Sequence, residues 1–125
     1  MAKILIVDDS RLTRRLLAKA LDDAGHETVQ VKNGEEGLRA FEAFRPDCVI
    51  SDLLMPVMDG FAFAAAIREI DGNVPVLIST ADIQERTRER CEEIGVTRLL
   101  NKPVKAVELC GAVDAAVTGR EVTAQ

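Results

Sequence analysis

The chain has 125 residues, 47% of them hydrophobic, with a formal net charge of −5. That length suits one domain burying roughly two-thirds of its unfolded surface, and the apolar content excludes wholesale disorder. The acidic balance argues against a nucleic-acid surface, and no apolar run approaches the ~18 residues of a membrane span.

Met1-Ala2-Lys3 leads directly into the apolar run Ile4-Leu5-Ile6-Val7, without the layout of a signal peptide. The spacing predicts strands over 3–7, 27–31, 47–51, 74–79 and 97–100, alternating with helices over 11–24, 35–44, 60–71, 83–94 and 104–118. Such alternation predicts a parallel sheet with helices on both faces. Ser10 suits a cap for the first helix and Gly25 its end. Asn33 with Glu36, and Asp82 with Glu85, are spaced like capping boxes. Asp59 suits a cap for the third helix, and Pro103 the first position of the fifth. Residues 1–118 read as one domain and 119–125 as a short tail, too short for an output domain.

Strand composition gives the sheet order. Ile4–Val7, Cys48–Ile50 and Val74–Ile78 are almost wholly apolar, as strands buried on both faces are. Glu27-Thr28-Val29-Gln30-Val31 alternates and Thr97-Arg98-Leu99-Leu100 is mixed, which suits edges. The order 2-1-3-4-5 follows, a flavodoxin-like (βα)5 sandwich. Leu12, Leu16, Ala20 and Ala24, and likewise Val107, Cys110, Val113 and Val117, read as core stripes. Ile83, Thr87, Cys91 and Ile94 make a thinner seam on a polar fourth helix, expected to be the least firmly held. Cys48, Cys91 and Cys110 read as reduced, mostly buried thiols, with Cys91 the most open to oxidation. His26, the only histidine, reads as a surface residue, and Arg11, Arg14 and Arg15 as a solvated face that can dock an acidic donor.

The chemistry gathers where strands end. Asp8-Asp9, Ser51-Asp52, Ser79-Thr80 and Asn101-Lys102-Pro103 each follow an apolar strand. In an open parallel sheet that rim binds ligands, and the order reverses between strands one and three, so Asp8, Asp9 and Asp52 line one crevice. Three carboxylates so close repel one another unless a cation joins them. Oxygen ligands suit Mg2+, with Mn2+ an alternative, and the lack of His or Cys there disfavours zinc. Lys102 supplies an ammonium and Thr80 a hydroxyl for a phosphoryl oxygen. An aspartate in this setting can attack phosphorus and become an acyl phosphate.

These segments resemble the receiver domains of response regulators, which serve two-component and phosphorelay signalling. The match rests on Ile4-Leu5-Ile6-Val7-Asp8-Asp9-Ser10, on Asp52-Leu53-Leu54-Met55-Pro56-Val57-Met58-Asp59-Gly60, on Val76-Leu77-Ile78-Ser79-Thr80-Ala81 and on Asn101-Lys102-Pro103. The resemblance implies Asp52 as phosphoacceptor, with Asp9, Asp52 and the Leu54 carbonyl on Mg2+ and Asp8 acting through water. It implies phosphoryl contacts from Thr80, the Ala81 backbone NH and Lys102, and a cis Lys102–Pro103 peptide. It implies a cytoplasmic monomer whose partners are a sensor histidine kinase or histidine phosphotransfer protein and a downstream effector. The expected function is a stand-alone phosphoacceptor rather than an enzyme, with a relay intermediate as alternative. Family members carry an aromatic where this chain has Leu99, so the usual ring movement has no counterpart. Leu54 and Asp82 flank the path of the hydrolytic water by the same resemblance. A haloacid-dehalogenase-like hydrolase wants Asp-x-Asp rather than adjacent Asp8-Asp9, and a flavodoxin-type phosphate loop wants Ser, Thr or Gly there.

Overall fold

In the computed structural model, which describes residues 1–124, strands and helices alternate throughout. They are β1 (Lys3–Val7), α1 (Arg11–Asp23), β2 (Glu27–Val31), α2 (Gly34–Phe44), β3 (Cys48–Asp52), α3 (Gly60–Ile70), β4 (Val76–Thr80), α4 (Glu85–Ile94), β5 (Arg98–Asn101) and α5 (Ala106–Ala124). The sheet is parallel in the order β2-β1-β3-β4-β5. Every residue of β3 and β4 is buried, whereas β2 and β5 are partly exposed. Apolar strands therefore take the interior of the sheet and the alternating ones its edges, because only an edge leaves polar side chains in water.

Two cores flank the sheet. Ile4, Ile6, Ile50 and Leu77 pack with Leu17 and Leu21 of α1 and with Leu109 and Val113 of α5. Leu5, Val7, Val49 and Ile78 pack with Phe41 of α2, Phe63 and Ile67 of α3 and Cys91 of α4. Each fully buried Leu, Ile or Phe contributes about 1.5–3 kcal/mol.

Several sequence expectations shift. Strands β3, β4 and β5 run one residue further than predicted, because the ladder continues through Asp52↔Ser79 and Thr80↔Asn101. Helix α5 begins at Ala106, so Pro103 precedes it rather than opening it, and its backbone continues past residue 118 to Ala124. Ser10, Asn33 and Asp59 cap α1, α2 and α3 through Thr13, Glu36 and Ala62 amides. The return bond from Glu36 reaches the Lys32 amide instead of Asn33. Gln84, not Asp82, occupies the cap position of α4, so no capping box forms there.

The predicted apolar stripes meet the core only in part: Ala20 on α1 and Cys110, Val113 and Val117 on α5 pack against it, and other members do not. Leu12 and Leu16 are 68% and 61% exposed, while Leu17, Ala18 and Leu21 are buried. Leu17 lies roughly 100–140° round the axis from Leu16 and Leu12, and the sheet meets only the Leu17 side. On α5, Val107 is exposed and Leu109, Ala112 and Val113 are buried. His26 is also not a surface residue. The chain turns beneath β1, where Nδ1 accepts from the Ala2 amide at 3.0 Å and Nε2 faces Asp114 Oδ1 at 3.4 Å. None of the three cysteines is in a disulfide. Cys91 is buried, and burial pushes its thiol up, so the half-buried Cys110 is the more accessible one.

Removing core volume tests the observed face of α1. Leu17→Ala is expected to cost about 2–5 kcal/mol, and Leu12→Ala or Leu16→Ala less than about 0.5 kcal/mol, measured by urea unfolding. Equal losses at all three positions would contradict this packing.

Candidate functional site

The crevice between β1 and β3 is built by register. Val7 pairs with Ser51, so the residues that follow each strand emerge side by side. The Asp8 amide still donates to the Val31 carbonyl, at 3.2 Å, which holds residue 8 at the end of the β1 ladder. The Asp8 side chain then turns back: Oδ1 accepts from the Ser10 amide at 2.9 Å. Asp8 is 1% exposed and Asp52 8%, while Asp9 is exposed. Asp52 Oδ1 accepts from its neighbour, the Leu53 amide, at 2.8 Å.

Lys102 arrives from the far side of the sheet. Its amide donates to the Thr80 carbonyl at 3.0 Å, which extends the β4–β5 ladder, and the next peptide, Lys102–Pro103, is cis. Its Nζ stands 3.1 Å from Asp52 Oδ1 and 3.3 Å from Asp8 Oδ2. One carboxylate oxygen each from Asp8, Asp9 and Asp52 lie within 4.8 Å of one another. Three carboxylates therefore face a single ammonium, and an oxygen-only cluster of net negative charge fits a hard divalent cation. Beside it opens a cleft of about 560 Å3 lined by Asp52, Leu54, Thr80, Ala81, Asp82 and Lys102. Leu54 turns its side chain to solvent, 74% exposed. The fold thus gathers the residues singled out in the sequence around one spot.

Some of what holds the site had no signal in the sequence. The Ser10 and Leu53 amides fix the two buried carboxylates. Arg14, expected on a solvated face, donates through Nη1 to the Asp8 carbonyl at 2.7 Å. Gly60 opens α3 directly against the end of β3, donating its amide to the Leu53 carbonyl at 2.7 Å. A Cβ there would sit 2.5 Å from the Asp52 carbonyl oxygen and 2.7 Å from Leu53 Cα, so no other residue fits without moving the Asp52 backbone. Val57 has φ of 72° between Pro56 and Met58, whose carbonyl and amide close a tight turn at 2.8 Å. A branched residue in that region stores about 1–3 kcal/mol of strain.

Residues 4–114 match the response regulator receiver domain family. The chain belongs to that family. A segment of the sensor histidine kinase RcsC of Escherichia coli K12 is 37% identical over 101 residues, covering 81% of this chain and 11% of the kinase. The chain thus spans about a tenth of the length of that kinase. The chemotaxis protein CheY of Halobacterium salinarum is 29% identical over 119 residues, 94% of this chain and 99% of that protein. Among solved structures, chemotaxis protein CheY4 of Vibrio cholerae superposes with a TM-score of 0.90 at 34% identity, covering 93% of this chain and 98% of that one.

Receivers act in two-component signalling as phosphoacceptors, interact with histidine kinases and effectors, and generally bind Mg2+ at an acidic pocket. The fold is that of signalling phosphoacceptors rather than of catalytic enzymes. No described helix is long and apolar enough to cross a membrane. In this receiver Leu99 is half-buried and pairs with Ile78 in the sheet.

Burial, reinforced by the Asp8 charge, pushes the Asp52 carboxyl above its ordinary value of 3.8, against the pull of Lys102. Lys102 is itself buried enough to disfavour its charge, but its bonds and attraction to Asp52 and Asp8 win and raise it. A raised folded-state carboxyl binds protons that the unfolded chain has lost. Its contribution to stability therefore falls as pH rises from the ordinary carboxylate range through the raised value. In metal-free protein, Asp52→Asn is expected to be more stable than the parent at pH 7, with the gap closing as pH falls through the raised value toward about 4. Urea midpoints across that range check it, and a gap that widens in acid would contradict it.

Proposed function

We propose that Asp52 of this receiver accepts a phosphoryl group from a phosphohistidine on a kinase or phosphotransfer protein, with Mg2+, and that the altered surface binds a separate effector. The reading is carried by one observation: carboxylate oxygens of Asp8, Asp9 and Asp52 lie within 4.8 Å of one another, and Lys102 Nζ pairs with Asp8 and Asp52. Asp52 Oδ1 is engaged by Leu53 and Lys102, which leaves Oδ2 outside those two bonds for attack on phosphorus. The oxygen–phosphorus bond forms as the phosphorus–nitrogen bond of the donor breaks, and the imidazole leaves with the electron pair and takes up a proton.

Asp8, Asp9, Asp52 and the Leu54 carbonyl are the groups assigned to hold Mg2+, which supplies charge neutralisation at the phosphoryl oxygens. Lys102 stays charged throughout and follows the developing negative charge from carboxylate to phosphoryl oxygen. Thr80 and Ala81 line the same cleft, and the Thr80 hydroxyl and Ala81 amide are the groups assigned to the remaining phosphoryl oxygens. The exposed Leu12 and Leu16, bordered by Arg11, Arg15 and Lys19 on α1, suit docking of an acidic helical donor beside the rim. Similarity to a segment of a sensor histidine kinase supports the relay variant, in which Asp52 passes the group on to a histidine phosphotransfer protein. The chain is proposed to work as a cytoplasmic monomer, with residues 1–118 as the functional domain.

With Mg2+ and a small acyl phosphate, the intact protein is expected to gain one phosphoryl mass, and Asp52→Asn none. Continued labelling of the Asn variant would reject Asp52 as acceptor. Mg2+ alone, at 100 times its Kd, is expected to add about 2.7 kcal/mol of stability by mass action. A thermal midpoint that ignores millimolar Mg2+ would count against the acid cluster as a metal site.

A further inference from the structure

Helix α4 is held unequally at its two ends. Its C-terminal end is pinned to α3: Arg68 Nε donates to the Gly95 carbonyl at 2.9 Å, and the Arg90 guanidinium lies 4.1 Å from the centre of the Phe61 ring. Its N-terminal end lacks an ordinary cap, since Gln84 makes no side-chain hydrogen bond there. The Asp82 carboxylate takes over that task. Oδ1 accepts from the Gln84 amide at 3.1 Å, and Oδ2 accepts from the Thr87 hydroxyl at 3.0 Å. The amide of the same Asp82 donates to Thr80 Oγ1 at 3.1 Å. A continuous hydrogen-bonded chain thus runs from Thr80, in the cleft beside Asp52, through Asp82 to Thr87 on the buried side of α4.

We propose that Asp82 and Thr87 latch the start of α4 in the unmodified protein, and that a phosphoryl group on Asp52 releases the latch. The proposal rests on the phosphoacceptor reading above. Two forces act on the same residue. The Thr80 oxygen already accepts from Asp82, so its proton is free for a phosphoryl oxygen, and drawing Thr80 inward pulls on the Asp82 amide. Asp82 lines the same cleft as Asp52, and conversion of the Asp52 carboxylate, of charge −1, to an acyl phosphate of about −2 adds about one negative charge there, which repels the Asp82 carboxylate. With the bond from Thr87 to Asp82 made or broken, the start of α4 has a latched and an unlatched state, and transmission between distant surfaces requires an element with two such states. Leu99 has neither ring nor hydroxyl, so this polar relay stands where other receivers use an aromatic. Asp82 and Thr87 are positioning residues: neither touches the reacting atoms.

The test measures amide exchange over α4 in full-length wild type, Thr87→Val and Thr87→Ser, with and without Mg2+ and acyl phosphate, alongside intact mass. Phosphorylated wild type is expected to exchange at least about threefold faster across residues 84–88. Unmodified Thr87→Val is expected to match that raised rate and to change little on phosphorylation, while Thr87→Ser, which keeps the hydroxyl, behaves as wild type. By reciprocity, the Val variant is also expected to hold beryllofluoride, an aspartyl-phosphate mimic, about fivefold or more tightly. Full phosphorylation by mass with no change at residues 84–88, or an undiminished response in Thr87→Val, would overturn the latch alone. Absence of the phosphoryl adduct in wild type would overturn the phosphoacceptor reading, and the latch with it.

Discussion

A single ammonium stands between two carboxylates that the sheet forces together. Parallel pairing of β1 with β3 leaves Asp8 and Asp52 no room to separate, and both are nearly buried. Lys102 Nζ, 3.1 and 3.3 Å from them, offsets part of their repulsion. It does not cancel it, because Asp9 brings a third charge within reach. Like charges held in a partly dry crevice are costly. Burial first, and the Asp8 charge after it, raise the Asp52 carboxyl above its ordinary value. Such crowding of carboxylates suits a divalent cation, which receivers generally bind at an acidic pocket.

The surrounding architecture keeps that point rigid. Backbone amides of Ser10 and Leu53 orient the carboxylates, and Lys102 hangs from the Thr80 carbonyl through the last rung of the sheet. Gly60 allows α3 to start hard against the Asp52 backbone, where any Cβ would intrude. The strained turn at Val57 lies in the same connection, between Asp52 and the start of α3. Helix α4 is held more lightly, its buried side consisting of Thr87 and Cys91. A rigid rim beside a lightly held helix is a suitable division between chemistry and response.

Much of the site could be read from the chain because strand ends are marked twice, by an apolar run and by the polar residue that terminates it. Asp8, Asp9, Asp52, Thr80 and Lys102 all carry both marks. The helical stripes were less legible. Leu12 and Leu16 obey a four-residue spacing as well as any core pair, yet they face water. Spacing reports that a stripe exists, not which side of the helix the sheet will meet. His26 failed for a related reason: nothing local shows that the turn it occupies folds under the first strand and against Asp114.

The alternation of strand and helix, the order 2-1-3-4-5 and the membership of the rim were determined by sequence alone. They depend on burial of whole strands and on short connections, which composition records directly. What only the tertiary structure decided was the contact map across elements: Lys102 shared between Asp8 and Asp52, Arg14 on a carbonyl, Gly60 against a backbone, Asp82 tied to Thr87. Each depends on distances between segments that the chain brings together only when the sheet closes its register, and no one-dimensional pattern encodes them.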